Sequence, residues 1–120
     1  MSLLESGENY LETILVLTKR NGSVRSIDIA NELGYTKASV SIAMKGLREK
    51  DLVTVTDTGY IALTGSGLAR AESILERHTL LTDWLIKLGV NADVAEEEAC
   101  RIEHDISEGT FELLKKAYLK

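Results

Sequence analysis

The sequence predicts a mainly α-helical fold interrupted near its middle by one short β-hairpin. Three observations carry that expectation. Apolar residues recur at helical spacing over most of the chain. Only around residues 52–63 does the composition shift to strand formers, with turn residues between them. The 120 residues contain no proline, so helices must end at glycines and polar caps.

Each element follows from local chemistry. From about residue 4 to residue 19, Leu11, Ile14, Leu15 and Leu17 form an apolar helical face, and Asn21-Gly22 ends the helix. Ser26 is placed to cap a short second helix that reaches Leu33 and stops at Gly34. Thr36 is placed to cap a third, residues 37–50, with Val40, Met44 and Leu47 on one face. Leu52, Val53 and Val55 then face Tyr60, Ile61 and Leu63 across Asp57-Thr58-Gly59, good hairpin-turn chemistry. Thr64 or Ser66 caps a long fourth helix to about Leu88, which Gly89 stops. Asn91 caps a fifth, residues 92–106, and Ser107 a sixth ending near Lys120. No internal repeat or long linker appears.

Composition narrows the class. Hydrophobic residues make up 44%, enough for a packed core. One cysteine excludes an internal disulfide framework. No apolar run approaches the roughly 20 residues of a membrane span, and Met1-Ser2-Leu3-Leu4-Glu5 does not begin a signal peptide. A cytoplasmic protein with no membrane partner is expected. The net charge of −5 argues at first against nucleic acid. That average hides a division: residues 19–50 carry +4 and residues 72–112 carry −8.

The basic segment has the pattern of a winged helix-turn-helix: two short helices joined by a tight glycine turn, then a hairpin. Ala30 is small where the helices approach, Gly34 supplies the turn, and Val40 anchors the second helix. The outward positions Thr36, Lys37, Ala38, Ser39, Ser41 and Lys45 are small, hydroxylic or basic, which suits a helix entering the major groove of double-stranded DNA. Arg25 and Ser26, at the start of the second helix, join these candidate DNA contacts. Ile42 fits less well: it either touches a thymine methyl or packs inward.

The acidic segment carries a different constellation. On one helix, Cys100, Glu103 and His104 share a face at i, i+3 and i+4, with Glu96 one turn before Cys100. A thiolate, a carboxylate and an imidazole aimed at one spot suit a divalent transition metal. Singly, each has a plainer reading: a buried small hydrophobe, a helix-dipole acid, a structural histidine. His78 on the fourth helix and Glu8, Asn9 and Glu12 on the first are further candidates, whose plainer reading is a solvated helix face.

Taken together these residues resemble the metal-dependent repressors of the diphtheria toxin repressor and manganese transport regulator type. The markers are Glu8-Asn9-Tyr10-Leu11-Glu12, Ile27-Asp28-Ile29-Ala30, Leu63-Thr64-Gly65-Ser66-Gly67, Arg77-His78 and Glu98-Ala99-Cys100-Arg101-Ile102-Glu103-His104. The resemblance implies a winged helix-turn-helix DNA-binding domain over residues 1–70 and a helical metal-binding and dimerisation domain over residues 71–120. It implies a homodimer that binds palindromic operator DNA when Fe(II) or Mn(II) is present and represses metal-uptake genes; Zn(II) or Co(II) could substitute in vitro. It carries metal ligation onto Glu12, His78, Cys100, Glu103 and His104, with Asn9 where an Asp or Met ligand is usual. Glu96 falls at an ancillary site where a histidine is usual, and Thr82 where a carboxylate is usual, with Asp83 beside it. The ligands then lie on the first, fourth and fifth helices, so metal is expected to favour one orientation of the two recognition helices, which must sit about 34–36 Å apart. The alternatives are a winged-helix transcription factor not regulated by metal, a metal-dependent hydrolase and a structural interaction module.

Overall fold

The structure is a computed structural model and describes residues 3–119, with side chains from residue 7 to residue 118. Met1, Ser2 and Lys120 lie outside the described residues, as does that part of the signal-peptide reading. Six helices and one hairpin follow in order: α1 Leu3–Asn21, α2 Ser26–Leu33, α3 Lys37–Glu49, β1 Val53–Val55, β2 Ile61–Leu63, α4 Gly65–Lys87, α5 Ala92–Asp105 and α6 Glu108–Leu119. The fold is mainly α, a winged helix-turn-helix followed by a helical lobe. The chain divides into two compact units between Glu72 and Ser73, and α4 contributes to both.

In the first unit, α1, α2, α3 and the hairpin enclose a core that includes Leu11, Ile14, Val24, Ile29, Val40, Met44, Val53 and Ile61. Gly34 takes the left-handed conformation at φ 71°, where a side chain would be strained, and so turns the chain between α2 and α3. Thr36 then caps α3, its hydroxyl accepting from the Ser39 N–H at 3.1 Å. The hairpin is antiparallel, with Val53 opposite Leu63 and Val55 opposite Ile61. An isolated bridge joins Arg25 to Tyr60, and Ile61 N–H donates to Val24 carbonyl at 2.8 Å. These bonds tie the wing to the chain that enters α2, a link absent from the expected pattern.

One expected cap is different. Ser26 is the first residue of α2 and Arg25 is the cap position. Asp28 completes this end by accepting from the Arg25 N–H at 2.9 Å. A carboxylate three residues into the helix satisfies the entering backbone, so the Ser26 hydroxyl is not needed there. Of the two candidates for α4, Thr64 is the cap. Its hydroxyl accepts from Gly67 N–H at 3.0 Å and donates to the Asp51 carbonyl at 2.6 Å.

In the second unit, Ile74, Leu80, Leu81, Ala95, Ala99 and Phe111 are buried. Asn91 caps α5 by accepting from Asp93 N–H, and Ser107 caps α6 by accepting from Thr110 N–H. No helix among the described residues is long and apolar enough to cross a membrane.

Candidate metal centre and nucleic-acid interface

The last turns of α5 present Cys100, Glu103 and His104 on one face, and the structure brings ligand atoms of all three within 4.8 Å of one another. Glu103 is the centre of this group. It is only 2% exposed, the one buried charged side chain of the described residues. Its Oε2 lies 3.0 Å from Nδ1 of His78 on α4. Its Oε1 lies 3.4 Å from Nε2 of His104 and makes no hydrogen bond among the described residues. A carboxylate removed from water with a lone pair unused is costly. The same arrangement becomes favourable when a cation shares the site. Cys100 is half-buried and the His104 side chain is buried. The donor set of thiolate, carboxylate and imidazole therefore fits a divalent transition metal.

Arg77 holds this turn in place and was missed as a positioning residue at the sequence level. Its Nη1 donates to the carbonyls of Glu103 and Ile106, each at 3.0 Å, and its guanidinium lies 5.3 Å from the Phe111 ring centre. It thereby closes the carbonyl end of α5, where unpaired acceptors and the helix dipole favour a cation. The only advance signal was its place beside His78 in the sequence.

Glu96 is exposed on α5, outside the cluster of Cys100, Glu103 and His104. Asp83 is exposed, and its carboxylate is engaged by Tyr118 and Lys87. Thr82 is half-buried. Glu8, Asn9 and Glu12 are half-buried on α1 in the first unit.

The DNA-contact candidates all lie in the first unit. Thr36, Lys37, Ala38, Ser39, Ser41 and Lys45 are exposed on or at the start of α3. Thr36 also donates to the Ser39 hydroxyl at 2.8 Å. Arg25 Nη2 donates to the Thr58 carbonyl at 2.6 Å, and its guanidinium lies 5.0 Å from the Tyr60 ring centre, so Arg25 pins the tip of the wing. Arg25, Ser26, Ile27, Lys37 and Gly59 line a surface cleft beside it.

Comparison with known proteins also divides the chain in two, between residues 60 and 64. Residues 2–60 match the model of the iron dependent repressor N-terminal DNA binding domain, and residues 64–119 match that of the iron dependent repressor metal binding and dimerisation domain. The chain belongs to the iron-dependent repressor family. This repressor is 30% identical over 108 residues to the transcriptional regulator MntR of Escherichia coli, an alignment covering 90% of this chain and 70% of that one. It is 32% identical over 113 residues to an uncharacterized HTH-type transcriptional regulator of Methanocaldococcus jannaschii, covering 92% of this chain and 90% of that one. Among solved structures, that of the manganese regulator SloR superimposes with a TM-score of 0.80 at 33% identity, over 92% of this chain and 52% of that one. This member is a metal-dependent, DNA-binding transcriptional repressor that acts as a homodimer, and the hydrolase reading falls with that assignment.

Proposed function

We propose that this repressor responds to Mn(II) or Fe(II) in the cytoplasm and silences genes for uptake of the metal it senses. The observation that carries the proposal is the buried Glu103 carboxylate, with His78, His104 and Cys100 around it and one oxygen unsatisfied. Manganese is supported by the name of SloR as a manganese regulator, and iron by the description of the matching family. A thiolate ligand leans toward iron, or toward Zn(II) and Co(II) in vitro.

On this reading residues 1–70 bind operator DNA and residues 71–120 bind metal and pair two chains. His78, Cys100, Glu103 and His104 hold the ion; Glu12, Asn9 and Glu96 are proposed as further ligands from the family pattern. Bound metal supplies positive charge and a fixed ligand geometry. Glu103 orients His78 through Oε2, and Arg77 keeps the ligand-bearing turn closed. Arg25, Ser26, Thr36, Lys37, Ala38, Ser39, Ser41 and Lys45 are the proposed DNA contacts. Hydroxyls and helix-end amides suit phosphates, and Lys45 suits phosphate or guanine.

The deciding experiment is a DNA-binding titration at fixed salt with Mn(II), Fe(II), Zn(II) and Co(II) in turn, on the native chain and on Glu12→Gln. The native chain should gain affinity with Mn(II) or Fe(II), and Glu12→Gln should lose that gain while keeping its helical circular dichroism. DNA binding indifferent to every metal would leave the unregulated winged-helix reading in its place.

A further inference from the structure

The outward face of α3 holds a side chain that neither core packing nor charge accounts for. Val40, Met44 and Leu47 turn into the core. At about 100° per residue, the opposite side of the helix is the line of Ala38, Ile42, Lys45 and Glu49. Ile42 is central on that line and 74% exposed, the most exposed large apolar side chain among the described residues. The inward alternative for Ile42 is thereby excluded. A single exposed isoleucine is ordinary on most surfaces. Here it stands on the helix that a winged helix-turn-helix lays in the major groove, among Lys37, Ser39, Ser41 and Lys45.

We propose that Ile42 is a specificity-determining residue that packs against the C5-methyl group of a thymine in the operator. The proposal rests on the DNA-binding role of this unit. The thymine methyl is the apolar group that base edges offer on the major-groove floor. Ala38, Ser39 and Ser41 are small, so the helix can approach closely enough for Ile42 to reach that floor. A β-branched side chain in a helix is largely confined to one χ1 rotamer, so the contact is stiff. In a helix-turn-helix the N-terminal residues of the second helix contact the base edges. Ile42 lies within the first two turns of α3, Lys37–Glu49. Lys37 and Lys45, exposed on either side of it, favour the phosphate backbone.

The test starts from the full chain loaded with Mn(II) and a random duplex library, from which bound DNA is selected and sequenced. In the recovered site each thymine is replaced in turn by deoxyuridine, which removes the methyl group and leaves base pairing intact. One thymine per half-site should show about fourfold weaker binding for each substitution, the equivalent of about 0.8 kcal/mol for one buried methyl. Ile42→Ala should bind the thymine site more weakly and be indifferent to the same replacement, while Ile42→Val should retain the sensitivity. Because the side chain is exposed, both variants should keep the native helical circular dichroism. Selection that yields a site with no such thymine, or with equal sensitivity in Ile42→Ala, would overturn the role of Ile42 and leave DNA binding standing. Recovery of no DNA above background would overturn both.

Discussion

Glu103 is the residue whose placement makes least sense for stability alone. Its carboxylate is buried, and only one of its oxygens makes a hydrogen bond among the described residues. Glu103→Gln should therefore leave the metal-free protein at least as stable, gaining about 1 kcal/mol or more in urea unfolding, while abolishing the stabilisation that added Mn(II) gives the native chain. A loss of metal-free stability would show that the charge is already well compensated. Gly67 is the opposite case, fixed by shape. A Cβ there would sit 1.9 Å from the Leu52 carbonyl oxygen, a backbone atom that cannot swing aside. Gly67→Ala should cost on the order of 3 kcal/mol, seen as a lowered midpoint in thermal unfolding.

At the scale of elements, the local signals were legible and the distant ones were not. Thr36, Asn91 and Ser107 each cap by bonding a backbone N–H two or three residues on, so spacing alone identified them. The convergence of Cys100, Glu103 and His104 was equally legible, because helical periodicity fixes it. Arg25 reaches Thr58, 33 residues away, and Arg77 reaches Ile106, 29 residues away. No local pattern carries those pairings, and the same holds for Gly67 against Leu52. Even Ser26 was misplaced by one position, because Asp28 competes for the same helix end.

Helix α1 is joined to α2 by an exposed ion pair, with Arg20 Nη1 3.1 Å from Glu32 Oε2. The hydrogen bond from that guanidinium, then its charge, holds the Glu32 carboxyl below its ordinary value. A lowered folded-state pKa gives stability that is present above the unfolded value, near 4.3, and disappears as pH falls through the folded value. The stability difference between the native chain and Arg20→Ala should therefore be small and constant near neutral pH and vanish under strong acid. Chemical denaturation at a series of pH values reads it. A difference that persists at low pH would assign the effect to packing of the arginine stem instead.

On the scale of the whole molecule, the net charge of −5 proves a poor guide to partners. The chain carries a basic segment of +4 over residues 19–50, in the first unit, and an acidic one of −8 over residues 72–112, all but Glu72 of it in the second. Each segment suits a different ligand. DNA affinity should fall steeply with added salt in the metal-loaded state, with a logarithmic slope near −0.9 for each phosphate neutralised. Raising salt in a gel-shift series reads that slope. Lys45→Ala should make it shallower by about one if Lys45 touches a phosphate, and leave it unchanged if Lys45 reads a base. A salt-independent affinity would be incompatible with an electrostatic interface of this kind.

Arg77 has a consequence for how fast the protein can answer its signal. Because its guanidinium closes the end of α5 through two carbonyls, the turn that carries the proposed ligands is ordered by folding rather than by an arriving ion. Little conformational entropy remains to be lost there on binding. The local association step is then set by diffusion and dehydration of the ion, and any slow phase after mixing reports a rearrangement elsewhere in the chain. With the proposed ligands, the repressor's reaction time to a metal pulse then depends in part on Arg77, whose guanidinium bonds the end of α5.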